Sequence, residues 1–334
     1  MFHPFREAAQ LLWQHRQAGT TLDALPAPLR PLDADQGHAV QAELPAVASQ
    51  SVVGWKIAAT STVGQAHIGV PGPLPGRILT SFVRPPGEPL LAKRTVQCYG
   101  IGESALAELL GVRMARGRDP EVGTTASGSI VSIQVVARGP DAAARAGREA
   151  AECAAVAAPW AFAGEGGSLA GSVLEECRSR GRTLAVAESC TGGLVGAMLT
   201  AVPGSSDVFA GGWITYSDAM KERELGVPRD ALDAHGAVSG EVVAAMARGA
   251  AACANADVAV AISGIAGPGG GSDLKPVGTV WIGVHDARAG RTASRRFEFP
   301  GGREIVRDRA SKAALQLVRW ALRGEDATMI WERA

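Results

Sequence analysis

Three short apolar runs in the second half of the chain each end abruptly in a polar or glycine-rich string, and this repeated junction constrains the fold most. Thr183–Ala187 gives way at once to Glu188-Ser189-Cys190-Thr191-Gly192-Gly193, Val208–Tyr216 runs into Ser217-Asp218, and Asp257–Ser263 opens onto Gly264-Ile265-Ala266-Gly267-Pro268-Gly269-Gly270-Gly271. Runs this short and this apolar read as buried strands. The stretches between and around them, Ser168–Arg180, Thr191–Ala201, Asp218–Leu225 and Ser239–Asn255, read as helices, with Ser239 placed to cap the last of these. Thr279–His285 and Thr292–Phe299 read as a hairpin, and Arg303–Leu322 as a long closing helix. Alternation of this kind predicts a layered α/β/α domain with a mixed sheet over residues 161–325.

Upstream the pattern differs. Phe5–Gly19 has helical spacing and Asp33–Leu44 reads as a second, short helix. The run Val52–Ala59 reads as a strand, and Pro71, Gly72, Pro73, Pro75 and Gly76 read as turns. Proline density from Val83 to Lys93 marks a linker, so residues 1–92 form one expected segment. A helix over Ile101–Arg116, a strand over Ser129–Arg138 and a helix over Asp141–Ala158 predict a small α+β module at 93–160, close to the lower size limit for folding alone.

A hydrophobic fraction of 46% supports buried cores, and 33 basic against 33 acidic residues leave no net field to attract nucleic acid or an anionic membrane. No apolar run approaches the ~18 residues of a membrane span. The five cysteines, Cys98, Cys153, Cys177, Cys190 and Cys253, form no C-x-x-C pair, which predicts neither a metal site nor a disulfide framework and fits a reducing cytoplasm.

Chemistry concentrates at the three junctions. A serine where a strand ends and a helix begins stands at the positive end of a helix dipole, beside free N–H groups that could hold an oxyanion. Ser189 is there, and the other reading is that Ser189 or Thr191 merely caps the helix. Tyr216 and Lys221 follow the next strand, and α/β sheets gather chemistry at carboxyl strand ends. A lysine serves as base to a serine when burial lowers its pKa; a solvated lysine in a Lys-Glu-Arg-Glu helix is the alternative. The third junction brings Ser263, Gly267 and Gly269. Its glycines let N–H groups approach a phosphate or carbonyl but match neither nucleotide-binding glycine motif, and Gly269–Ser272 equally suits a plain surface loop. Arg303 opens the closing helix at a good anion site, although helix-opening arginines are often only solvated.

The strings AESCTGG, ITYSDAMKERELGV, HGAVS, SGIAGPGGG, KPVGTVWIGV and FPGGREIVRDRA, in this order from about Phe162 to Leu322, resemble the C-terminal domain of the CinA competence/damage-inducible family. The resemblance implies a nicotinamide-nucleotide amidohydrolase that converts nicotinamide mononucleotide to nicotinic acid mononucleotide and ammonia. It implies Ser189 as nucleophile, Lys221 as its base and Tyr216 as a supporting group. Thr191, Gly192, Gly193, Ser263, Gly267, Gly269 and Arg303 would bind substrate. Ser263 stands where the family commonly has threonine, so the hydroxyl is kept. No metal or cofactor is implied; the expected partner is a small pyridine nucleotide, and a homo-oligomer is expected.

YGIGESALAELLG, RGRDPEVGTTASGSIVSIQVVARG and FAGEGGSLAGSVLEE resemble the KH-like connecting module of full-length CinA proteins. With no G-x-x-G loop flanked by basic residues, a spacer rather than an RNA-binding module is expected. In the first segment, PLDADQGHAVQAEL and VVGWKIAATSTVGQAHIGVPGPLPGRIL resemble the N-terminal part of 2-keto-4-pentenoate hydratases. The Mg²⁺-binding carboxylates of that family are not found downstream, so a hydratase-like fragment without chemistry of its own is expected, with Lys56 and Gln65 as candidate ligand contacts. Two further readings stay open: a Mg²⁺-dependent 2-hydroxy-2,4-dienoate hydratase, and a non-catalytic nucleotide-binding protein.

Overall fold

In the computed structural model, residues 3–58, 74–80, 91–139, 141–164 and 166–333 are described. The chain divides into two units, Met1–Glu88 and Pro89–Ala334.

In the first unit, α1 (Pro4–Ala18) and α2 (Ala34–Ala48) pack around Ala8, Ala9 and Val40. Asp33 caps α2 through the Gln36 N–H. Strands β1 (Val52–Ala58) and β2 (Leu74–Leu79) form an antiparallel ribbon. Pro75 and Gly76, expected in a turn, lie within β2, where a two-stranded ribbon leaves an edge that tolerates proline. The expected linker around Val83 and the candidate Gln65 fall outside the described residues.

The second unit opens with β3 (Leu91–Tyr99), which starts inside the expected linker and carries Lys93, Arg94 and Gln97 on a strand too polar to be read as one. It joins β4 (Glu121–Ser127), β5 (Ile130–Arg138) and β6 (Ala161–Ala163) in an antiparallel sheet of order β4-β5-β3-β6. Against it pack α3 (Glu103–Leu110) and α4 (Ala142–Val156). The helix expected from Ile101 to Arg116 is cut to α3 because Gly111 turns to a positive φ of 50° and a single 3₁₀ turn follows.

The remaining elements are α5 (Leu169–Ser179), β7 (Leu184–Glu188), α6 (Leu194–Thr200), β8 (Phe209–Ile214), α7 (Asp218–Leu225), α8 (Arg229–His235), α9 (Gly240–Ala254), β9 (Val258–Gly264), β10 (Thr279–Asp286), β11 (Arg291–Glu298), α10 (Arg303–Arg323) and β12 (Glu332–Arg333). The six-stranded sheet has the order β12-β11-β10-β9-β7-β8; β8, β7 and β9 are parallel and the rest antiparallel. A layered α/β/α domain with a mixed sheet is therefore present.

Period-two alternation decides which helix packs where. Leu184, Val186, Val258, Val260 and Ile262 face α5, α6 and α10. Ala185, Ala187, Ala259 and Ala261 face α9 and the end of α7. Helix α9 lies close on this face of the sheet, since a Cβ at Gly283 of β10 would lie 2.7 Å from the Val243 carbonyl oxygen. Helix α10 also anchors the smaller sheet: Arg319 and Trp320 donate to Pro159 O at 2.8 and 3.0 Å, and Tyr99 Oη donates to Arg309 O at 2.7 Å.

Candidate active site

The parallel register sets Glu188 opposite both Ile214 and Ile262, so β7, β8 and β9 end along one edge. Hydrogen bonding continues past the strands, with Ser189 N–H donating to Ile262 O and Thr215 N–H to Glu188 O, each at 2.9 Å. Ser189, Thr215 and Ser263 thereby become neighbours at the carboxyl end of the sheet, where α/β folds place their sites.

Ser217 caps α7, and this helix carries Lys221 back toward the sheet. Lys221 is 1% exposed, among the most buried large side chains. Its Nζ donates to Thr215 O at 3.1 Å and lies 3.5 Å from both Ser189 Oγ and Asp218 Oδ1. Burial pushes the Lys221 pKa below the ordinary lysine value, and the Asp218 carboxylate opposes this. The solvated lysine reading does not hold.

The turn from Ser189 to Gly193 departs from expectation. Helix α6 starts at Leu194, not Thr191, because Gly192 and Gly193 take φ values of 60° and 94°, a left-handed pair that glycine adopts without a Cβ penalty. Neither Ser189 nor Thr191 caps the helix. The Glu188 carboxylate does so, accepting from Gly193 N–H at 3.0 Å, Val195 N–H at 3.1 Å and Gly196 N–H at 2.9 Å. Gly192 N–H donates to Ser189 O at 3.1 Å. The expected ligand donors at Gly192 and Gly193 are thus occupied within the protein. Between Ser189 and Ala197, only the N–H groups of Cys190 and Thr191 find no oxygen acceptor among the described residues, although these residues are 6% and 0% exposed.

A second cluster lies at the rim. Arg303 donates to Gly267 O at 2.9 Å and to Tyr216 Oη at 3.1 Å, and Tyr216 is 61% exposed. Tyr216 is therefore partnered with Arg303; the contacts of Lys221 and Ser189 run elsewhere. Ser263 is buried and donates to Ala237 O at 2.7 Å. Thr191 is buried, with its carbonyl taken by Arg307 Nη2 at 2.6 Å and its hydroxyl unpartnered. Gly269 sits in the exposed glycine loop. Lys56 is exposed on β1. Among the described residues, no cluster of three His, Cys, Asp or Glu side chains could hold a metal ion, and no helix is long and apolar enough to cross a membrane.

Sequence reasoning missed Glu188, Arg307 and Asp218. All three stand inside the quoted strings. Glu188 and Asp218 bore the available signal, an acidic residue at a helix N-terminus.

Fold and edge together define a layered α/β protein with a serine–lysine pair at the carboxyl end of a parallel strand. The sequence profile of the CinA C-terminal domain matches residues 167–322, and that of the damage-inducible protein CinA KH domain matches 93–157. A CinA-like protein of Parasynechococcus marenigrum is 44% identical over 233 residues, covering 69% of this chain and 55% of its own length. One from Akkermansia muciniphila is 41% identical over 235 residues, covering 70% and 56%. The crystal structure of a CinA superfamily protein from Klebsiella pneumoniae is 37% identical and covers 47% of this chain and 96% of its own, with a TM-score of 0.45. The chain belongs to the CinA family. It spans little more than half the length of the two CinA-like relatives. Both profiles begin after residue 92, and none of these matches supports the hydratase resemblance expected of the first segment.

Proposed function

We propose that the C-terminal domain is an amidohydrolase that removes ammonia from the carboxamide of nicotinamide mononucleotide. The observation that carries this is a buried lysine, its pKa lowered by burial, 3.5 Å from the hydroxyl of a serine at a strand-to-helix turn. A neutral amine there takes the Ser189 proton as Oγ bonds to the carboxamide carbon. The carbonyl oxygen gains the negative charge, and the Cys190 and Thr191 N–H groups are its donors; the N–H after a nucleophile serves this purpose in other serine hydrolases. The Lys221 ammonium returns the proton to the departing nitrogen, the C–N bond breaks, and ammonia leaves an acyl ester on Ser189. Water then attacks the ester while Lys221 accepts one of its protons and passes it to Oγ, releasing the carboxylic acid, which gives its remaining proton to solvent. Arg303, drawn across the rim between Gly267 O and Tyr216, supplies the cation for the nucleotide phosphate.

Ammonia release from nicotinamide mononucleotide by the purified chain tests this reading. Ser189→Ala is expected to lower kcat by at least about a thousandfold while calorimetry still detects nucleotide binding. Undiminished turnover by that variant sinks the mechanism.

A further inference from the structure

We infer that Glu188 and Arg307 are positioning residues that hold the Ser189–Gly193 turn from two sides and so set the oxyanion donors; this rests on the proposed amidohydrolase reading. The turn has few internal bonds of its own. Gly192 N–H reaches Ser189 O at 3.1 Å and Leu194 N–H reaches Thr191 O at a long 3.4 Å. Two consecutive left-handed glycines give it little intrinsic rigidity. From one side Glu188, 1% exposed, binds three N–H groups of the turn and the first helical turn with a single carboxylate. From the other, Arg307 reaches from α10 to the Thr191 carbonyl at 2.6 Å, and its guanidinium lies 3.5 Å from where a Gly192 Cβ would stand. One clamp takes donors and the other takes the acceptor of the peptide that follows Thr191.

The consequence concerns charge. The helix α6 donors at Val195 and Gly196 are spent on Glu188, so the α6 terminus cannot itself serve a developing oxyanion. What remains without an oxygen acceptor in the clamped turn, among the described residues, is the pair of N–H groups of Cys190 and Thr191. Arg307 holds the Thr191–Gly192 peptide, whose N–H donates to Ser189 O and so holds the peptide that carries the Cys190 N–H, while Glu188 holds the next peptide through Gly193 N–H; displacing such donors by about 1 Å costs on the order of a hundredfold in rate.

Glu188→Gln keeps size and burial but turns an acceptor into a donor. If the amide oxygen serves Gly193 and Val195, the amide nitrogen must face the Gly196 N–H, donor against donor. The whole chain and its variants would be compared by circular-dichroism melts, by steady-state kinetics on nicotinamide mononucleotide, and by labelling with an alkyl fluorophosphonate. In the labelling step Ser189 Oγ bonds to phosphorus as fluoride leaves and Lys221 takes the proton. Folded Glu188→Gln is expected to lose ten- to a hundredfold in kcat and at least tenfold in labelling rate, with KM within twofold of the parent. Should it fail to fold, Arg307→Ala carries the same expectation, and Arg307→Lys, which restores one donor to Thr191 O, is expected to recover part of the loss. Labelling within twofold of the parent by either folded variant overturns the inference. So does a loss confined to KM. A parent that is labelled at Ser189 but releases no ammonia overturns only the substrate reading, and the labelling rates then decide the clamp. A parent that is not labelled overturns both.

Discussion

Replacing Lys221 with Met tests whether the proposed base is neutral in the folded protein, and does so without any substrate. The side chain keeps its extent as far as Cε while the amine disappears. In the parent that amine is 1% exposed and contacts Thr215 O at 3.1 Å. Burial sets its pKa below the ordinary 10.5, against the pull of Asp218. Between the lowered folded value and 10.5, the unfolded chain binds a proton that the folded chain does not. Stability rises with pH wherever the unfolded state binds more protons, by about 1.4 kcal/mol per pH unit for one proton. The contribution of Lys221 to stability is therefore poorest below the lowered pKa, where a buried ammonium must be tolerated, and improves as pH climbs through the window. The Met variant lacks this dependence. It also leaves the Thr215 carbonyl without its donor, a roughly pH-independent cost of about 1–3 kcal/mol. Urea unfolding of both proteins at half-unit steps from pH 7 to 10.5 gives the stability difference, in which all other titrating groups cancel to first order. That difference is expected to move in the parent's favour with a slope approaching ~1.4 kcal/mol per pH unit and to level off near the ordinary lysine pKa. A difference that stays constant across the range would falsify the burial argument and remove Lys221 as a neutral base.

Two other substitutions probe the same scaffold. Asp218→Asn removes the charge that raises the Lys221 pKa, so the rising limb of kcat/KM against pH should move to lower pH; at a pH on that limb the variant should run about two- to fivefold faster than the parent, the size set by a half-exposed pair. A limb that stays put or moves to higher pH contradicts the assigned role. Gly249→Ala and Gly147→Ala should have opposite signs. The first sets a Cβ 2.0 Å from the Leu225 carbonyl oxygen and should cost at least about 1–3 kcal/mol of unfolding free energy. The second, in α4, meets nothing within 4 Å and should gain roughly 0.5–1 kcal/mol. Equal urea midpoints for the two variants would show that the close approach of α7 to α9 is not rigid.

Much of the large sheet was legible because its strands carry their own signal. Val258-Ala259-Val260-Ala261-Ile262 is short, apolar on both faces and β-branched at every second position, which reads as a buried strand. The smaller sheet was mostly illegible for the opposite reason. Of its strands only β5, with alternating burial, announces itself; Glu121–Ser127 is made of small and polar residues and becomes a strand through its pairing with β5. Helix α8 (Arg229–His235) was missed because seven residues leave room for one buried apolar side chain, Leu232. At the site, the residue types were readable and their distances were not. Ser189 and Lys221 are 32 positions apart, and their approach depends on a crossing of β8 and α7 that no local pattern encodes.

The same alternation that sorts the core also separates the labours of Glu188 and Ser189. Glu188 is the last residue of β7 and shares the parity of Leu184 and Val186, so its side chain leaves on the α6 face, where it finds the helix N–H groups. Ser189 continues the ladder by one more bond and shares the parity of Ala185 and Ala187, so it leaves on the α7 and α9 face, where Lys221 waits. A one-residue slip of β7 would exchange them, putting the serine at the helix terminus as a cap and the carboxylate against the lysine as an ion pair. Register is what distinguishes the proposed nucleophile from a capping residue here. It is held by parallel neighbours on both sides of β7, pairing Glu188 with Ile214 and with Ile262. The chemistry proposed for the edge therefore depends on the central strand being locked between two others, which is why the pair sits on β7 and not at the margin of the sheet.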